Sequence, residues 1–201
     1  RCVVPEYSGR ICKLATHLNT KVSYNWVFET QDPIPFSDVV GQEISIHFSN
    51  NIYCSVCGRK TKKSFFQGFC YPCFQSAPEA SECIIRPELC QGHLGIGRDA
   101  EWERKNHDQP HFVYLAVSSG LKVGVTRKTY LVNRWMDQGA SFGIRFAEVP
   151  NRYTSGLVEV ALKEHVSDRT AWQKMLKNDI AQNVDLVSEK QRLAGMLPAE
   201  L

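Results

Sequence analysis

The sequence predicts an α+β protein in which a small N-terminal β region carries a zinc-ribbon-like or zinc-knuckle module and leads into a three-stranded sheet with flanking helices. Three observations predict it: alternating apolar runs before residue 50, the spacing Cys54-x2-Cys57-x12-Cys70-x2-Cys73, and an order of strand, strand, helix, strand, helix after residue 110. On this reading residues 1–53 form the N-terminal β region, 54–110 the cysteine-rich module and connector, and 111–201 the α/β domain with its C-terminal helices.

The β region begins with two apolar or alternating runs, Ile11 to Leu18 and Val22 to Phe28, separated by Asn19, Thr20 and Lys21, which is a hairpin pattern. Two prolines make Asp32 to Phe36 a loop. Glu43 to Phe48 alternates again and is expected to be a strand running towards Cys54. From Ser76 to Pro110 the composition turns acidic, and Pro78, Pro87, Gly92, Gly95 and Gly97 break any long element, so a connector of short turns is expected. The run from His111 to Arg127 is a second hairpin about a Ser-Ser-Gly turn. Tyr130 to Gly139 has helical spacing with glycine at its end, and Phe142 to Pro150 is a third strand stopped by proline. Gly156 to Val166 is an amphipathic helix, Asp168 is placed to cap a next one, and a last helix is expected from about Leu186 to Leu197.

With 201 residues, 43% of them hydrophobic and 22% charged, the chain can bury a core without disulfide staples, which excludes intrinsic disorder. No window reads as a membrane span or a secretory signal, so no membrane partner is expected. Two residues between paired cysteines suit two thiolates converging on one ion, and Cys54, Cys57, Cys70 and Cys73 make a four-thiolate structural zinc site. A disulfide framework would sit in a shorter, more cysteine-dense chain, and zinc thiolates point to a reducing compartment, the cytoplasm. Cys83, Cys90, His93 and His107 offer a second, less regular set of nitrogen and sulfur donors, whose other reading is buried thiols and ordinary histidines. Cys2 and Cys12 lack a paired cysteine and read as buried or free thiols.

The net charge of +3 conceals two blocks of +4, one over residues 54–75 and one over residues 111–145. In the first, Arg59, Lys60, Lys62 and Lys63 interleave with Phe65, Phe66, Phe69, Tyr71 and Phe74. Cations neutralise phosphates and aromatic faces stack on exposed bases, so DNA or RNA is the expected partner; the alternative is a zinc-knuckle core with a solvated lysine rim. In the second, Lys122 and Arg127 are the candidate phosphate contacts. His111, at the start of this block, is a candidate proton acceptor near neutral pH.

Val113 to Leu115, Lys122 to Thr126 and Arg134 within the second block, with Glu159 on a following helix, together resemble the core of the GIY-YIG nuclease superfamily. The resemblance implies a metal-dependent phosphodiester hydrolase, an endonuclease. In it Tyr114 helps activate water, Arg134 binds the scissile phosphate and Glu159 holds Mg²⁺ or Mn²⁺, with Val123 and Gly124 closing the second motif. Lys122 stands where that motif usually carries tyrosine. The departure keeps two alternatives in play: a catalytically inactive DNA- or RNA-binding module, and a zinc-stabilised interaction protein. Longer strings, among them CSVCGRKTKKSFFQGFCYPCF, PHFVYLAVSSGLKVGVTR and RWMDQGA, are similar to a bacterial domain-of-unknown-function family, which implies membership and no particular activity.

Overall fold

The structure, a computed structural model, describes residues 5–166 and 171–201; the Asp168 cap and Cys2 lie outside the described residues. The chain divides into two compact units, Arg1–Cys70 and Tyr71–Leu201. The division falls inside the cysteine-rich module.

In the first unit β1 (Ile11–Leu18) pairs antiparallel with β2 (Val22–Phe28), and Leu18 sits opposite Val22 as the alternating pattern requires. The proline-rich loop adds a two-residue strand, β3 (Ile34–Pro35), on the free edge of β2, where a residue without an N–H is tolerated. Ile34 and Phe28 are buried, and the rings of Trp26 and Phe36 meet at 4.5 Å. The strand expected over Glu43 to Phe48 is not formed. Ile44, Ile46 and Phe48 are exposed, and among the described residues no strand pairs with this stretch. Alternation makes a strand only where a partner edge satisfies the backbone and a second layer covers the apolar face. Cys54 is instead reached through β4 (Ile52–Tyr53), which pairs with β5 (Lys60–Thr61).

The second unit opens with α1 (Tyr71–Ser76) and four 3-10 turns at Pro78–Ala80, Glu82–Ile84, Pro87–Leu89 and Gly92–Leu94, the turn-rich connector the breakers predict. Within it lies a helix not expected there, α2 (Ala100–Asn106). The Asp99 carboxylate accepts from the Trp102 N–H at 2.9 Å, with Glu101 and Glu103 in the first turn and Arg104 and Lys105 in the last, where each charge complements the helix dipole.

Next come β6 (His111–Val117), β7 (Leu121–Arg127), α3 (Leu131–Asp137) and β8 (Phe142–Val149), the helix ending before Gly139 at φ +61°. The sheet order is β7-β6-β8, all antiparallel, so β6 is central and every residue in it is buried. Its alternation sends Val113 and Leu115 into a core with Val123, Phe146, Val158, Leu162 and Leu193, while Phe112, Tyr114 and Ala116 pack with Leu131 and Trp135 of α3. Tyr114 is thereby placed on the α3 side of the sheet.

The next helix, α4 (Arg152–Lys163), begins four residues before Gly156, because the Asn151 side chain caps it by accepting from the Thr154 N–H at 2.9 Å. Gly156 is inside the helix for reasons of space: a Cβ there would lie 2.2 Å from the Glu88 backbone nitrogen and 2.4 Å from the Pro87 carbonyl carbon. After α5 (Trp172–Leu176), α6 (Leu186–Ala194) starts at the expected residue, capped by Asp185. Among the described residues no helix is long and apolar enough to cross a membrane.

Candidate functional site

Local backbone bonds gather the first cysteine group. Cys54 follows β4, its N–H donating to the Arg59 carbonyl at 2.9 Å while the Gly58 N–H donates back to Cys54 at 3.0 Å. Ser55 N–H donates to Gly68 at 2.8 Å, and Phe65 and Phe69 exchange two backbone bonds, which brings the Cys70 turn alongside. The sulfurs of Cys54, Cys57, Cys70 and Cys73 lie within 4.8 Å of one another, and those of Cys57 and Cys70 are 3.8 Å apart. A tetrahedral site with metal–sulfur bonds of about 2.3 Å has sulfur–sulfur edges of about 3.8 Å, so the cluster could hold a metal ion such as zinc. Burial pushes the Cys54 thiol up, but backbone donors at Cys57, Cys70 and Val56 outweigh it and hold it at about 6. The first cysteine is therefore a ready thiolate ligand near neutral pH.

The connector gathers a second group. A sulfur each from Cys83 and Cys90, a Glu103 carboxylate oxygen and a His107 ring nitrogen lie within 4.8 Å of one another, all four residues buried. His107 Nδ1 is 2.5 Å from Glu103 Oε2 and 3.8 Å from Cys83 Sγ. Glu103 and His107 are four residues apart on α2 and its C-cap, hence on one face. The Cys83 thiol hydrogen-bonds to Cys90, which draws Cys90 below its ordinary value and drives Cys83 above it, so one sulfur is thiolate while the other keeps its proton. His93 is not among these donors; its ring stacks on Tyr153 at 4.8 Å, and Glu103 takes the fourth place.

The nuclease-like residues come from three elements. Tyr114 of β6 is fully buried, and Gln138 links it to Arg134 of α3. The Gln138 amide oxygen accepts from Arg134 Nε and Nη2 at 3.1 Å each, and its NH2 donates to Tyr114 Oη at 2.7 Å; the opposite orientation would set that NH2 against the guanidinium. Burial raises the Tyr114 pKa, Arg134 opposes the rise, and Glu159 of α4 is close enough to add to it. Glu159 is 7% exposed, with Lys163 Nζ at 3.5 Å from its Oε2. Tyr114 is therefore within electrostatic reach of both Arg134 and Glu159. Gly124 lies directly opposite Tyr114, and a Cβ there would be 2.5 Å from Tyr114 Oη, so this glycine makes room for the ring itself.

The basic residues divide. Lys60, Lys62 and Lys63 are exposed, with Lys63 Nζ 5.2 Å from the Phe65 ring centre. Beside them Phe69 is core, and Phe66 stacks on it at 5.9 Å while remaining 38% exposed. Lys122 is not the solvated phosphate contact its charge suggests: it is 5% exposed, and burial, then the charge of Arg134, lowers its pKa. Arg127 Nη1 donates to Asn106 Oδ1 at 2.8 Å, and its guanidinium lies over Tyr130. His111 is fully buried in the sheet, its Nδ1–H donating to the Gln109 carbonyl at 2.7 Å, and burial holds it at about 4. Its imidazole is thus neutral and shielded from solvent near pH 7. Sequence reasoning missed Gln138, Glu103 and Arg152; the Asp99 cap and the Glu103-x3-His107 spacing are the signals that could have found the second.

A family model described as Protein of unknown function (DUF2797) matches residues 41–200. No curated protein matches the chain, and no solved structure does.

Proposed function

The chain belongs to that family, and from the arrangement of its side chains we propose that it is a zinc-containing nucleic-acid-binding protein whose C-terminal half is a GIY-YIG-like, metal-dependent endonuclease. The observation that carries this reading is the link from Tyr114 through Gln138 to Arg134, with Glu159 in electrostatic reach. The arrangement of β6 at the centre, flanked by β7 and β8 with α3 between the second and third strands in sequence, supports it.

Phosphodiester hydrolysis needs an oriented water and positive charge where the phosphoryl oxygens gain negative charge. Arg134, exposed and anchored by Gln138, would receive the scissile phosphate with its planar fork. Tyr114, its pKa raised, stays protonated at neutral pH and, fully buried, would act through Gln138 by fixing the amide that holds Arg134. Glu159 would hold Mg²⁺ or Mn²⁺, hard cations that accept carboxylate oxygen; such an ion supplies Lewis-acid charge at the leaving oxygen. Zinc at Cys54, Cys57, Cys70 and Cys73 would fix the module that presents Lys60, Lys62 and Lys63 to backbone phosphates.

The test incubates the purified chain with labelled single-stranded, duplex and structured DNA and RNA in Mg²⁺ or Mn²⁺. Cleavage is expected to be lost in Arg134→Ala and Glu159→Ala; no cleavage above the Glu159→Ala control on any substrate would end the nuclease reading. A second reading, binding without cleavage, is favoured by the burial of Tyr114 and Lys122. It expects salt-sensitive binding that survives Glu159→Ala and weakens in Arg134→Ala.

A further inference from the structure

We propose that Cys83, Cys90, Glu103 and His107 form a second metal centre, a structural zinc site of two thiolates, one imidazole and one carboxylate, independent of the four-cysteine cluster and of any nuclease activity.

The donor set has the chemistry for it. Sulfur and imidazole donors in a tetrahedral arrangement select zinc, with carboxylate an accepted fourth ligand. For zinc–sulfur bonds of about 2.3 Å and zinc–nitrogen bonds of about 2.0 Å, a tetrahedral sulfur–nitrogen edge is about 3.5 Å. The Cys83 Sγ to His107 Nδ1 separation is 3.8 Å, whereas His107 Nδ1 and Glu103 Oε2, hydrogen-bonded at 2.5 Å, would part to the tetrahedral nitrogen–oxygen edge of about 3.3 Å on binding the ion. With four protein donors no position is left for water or substrate, which marks a structural centre rather than a catalytic one.

Charge balance points the same way. Zinc ligation would displace the Cys83 proton, and two thiolates with a carboxylate would then bring three negative charges into a site where Cys90, Glu103 and His107 are each no more than 3% exposed. Such charges are strongly unfavourable when buried without a partner. Arg152 supplies one compensating charge: its Nε donates to the Cys83 carbonyl at 2.9 Å and its Nη2 to the Ile84 carbonyl at 2.8 Å. A divalent ion supplies the other two.

The backbone is also cleared for the carboxylate. A Cβ on Gly97 would lie 2.3 Å from Glu103 Cγ and 2.6 Å from Cδ. One on Gly92 would lie 3.0 Å from Glu103 Oε2, 3.1 Å from His107 Cβ and 3.5 Å from Cys90 Sγ. Neither glycine has a left-handed φ, so space for Glu103 is what they provide. The ion would fasten two 3-10 turns to α2, and Arg152 ties that assembly to the first residue of α4.

Elemental analysis and zinc-edge X-ray absorption of the full chain, purified under reducing conditions, test the proposal. Two zinc ions per chain with a mean of about three sulfurs each are expected; one ion with four sulfurs overturns it. One ion with two sulfurs would keep this centre and remove the four-cysteine one, so the two metal assignments fail separately. Cys90→Ser should lower the stoichiometry from two to one, and Gly97→Ala, which displaces Glu103 without touching a thiol, should speed zinc loss to a chelator. Where Cys90→Ser does not fold, the absorption result on the unaltered chain decides. A Cys83–Cys90 disulfide in mass spectra of the protein freshly isolated without reductant overturns the proposal.

Discussion

At the scale of single residues, two buried groups on β6 make opposite demands on their surroundings. Tyr114 needs an absent side chain: its ring occupies the space over Gly124. Gly124→Ala should lower the unfolding free energy in urea by about 1–3 kcal/mol, because an added methyl in a packed site forces a shift. Tyr114→Phe removes the Oη atom, the one closest to the new Cβ, and should recover part of the loss in the double variant. A loss unchanged in the double variant would place the strain elsewhere. His111 instead needs to be uncharged. Burial lowers its pKa from 6.5 to about 4, so the unfolded chain takes up a proton below 6.5 that the folded chain refuses until about 4. Its contribution is complete above pH 6.5 and falls away as the pH drops through that window, by an amount on the order of 3 kcal/mol. Thermal unfolding at about pH 7 and about pH 5 should show a smaller acid loss in His111→Phe than in the unaltered chain, and equal losses would contradict it. The residue types at Tyr114, Arg134 and Glu159 were legible in the sequence, as was the four-cysteine spacing. The burial of Lys122 and His111 was not, because it follows from layers supplied by distant segments.

At the scale of elements, the hairpins were legible to the residue, Ile11–Leu18 with Val22–Phe28 and His111–Val117 with Leu121–Arg127, because alternation and turn chemistry are local. Helix starts were less so. Gly156 looked like the beginning of a helix and is its fifth residue, admitted where the turn at Pro87–Leu89 crosses. Alanine in place of a helical glycine ordinarily stabilises by about 1 kcal/mol. Gly156→Ala should reverse that sign and destabilise by about 3 kcal/mol in chemical denaturation, since the atoms it meets at 2.2 and 2.4 Å are backbone. A neutral or stabilised variant would show that helix and turn do not meet so closely. The failure over Glu43 to Phe48 has the converse cause: a correct local pattern without the partner that would complete it.

At the scale of the whole molecule, the two blocks of +4 within a net charge of +3 are a sequence fact whose meaning the structure divides: Lys60, Lys62 and Lys63 face solvent, whereas Lys122 is enclosed. Arg152 reaching a carbonyl 69 residues earlier in the chain has no local signature at all. The second donor group differs in this respect. Cys83 and His107 are 24 residues apart, and Cys90 and Glu103 fall between them. Closing so short a loop carries a modest entropy loss, and its range is shorter than that of the pairing between β6 and β8. During synthesis all four side chains have been made before the first residue of β6, so the connector can take its shape ahead of the sheet that later packs beside it.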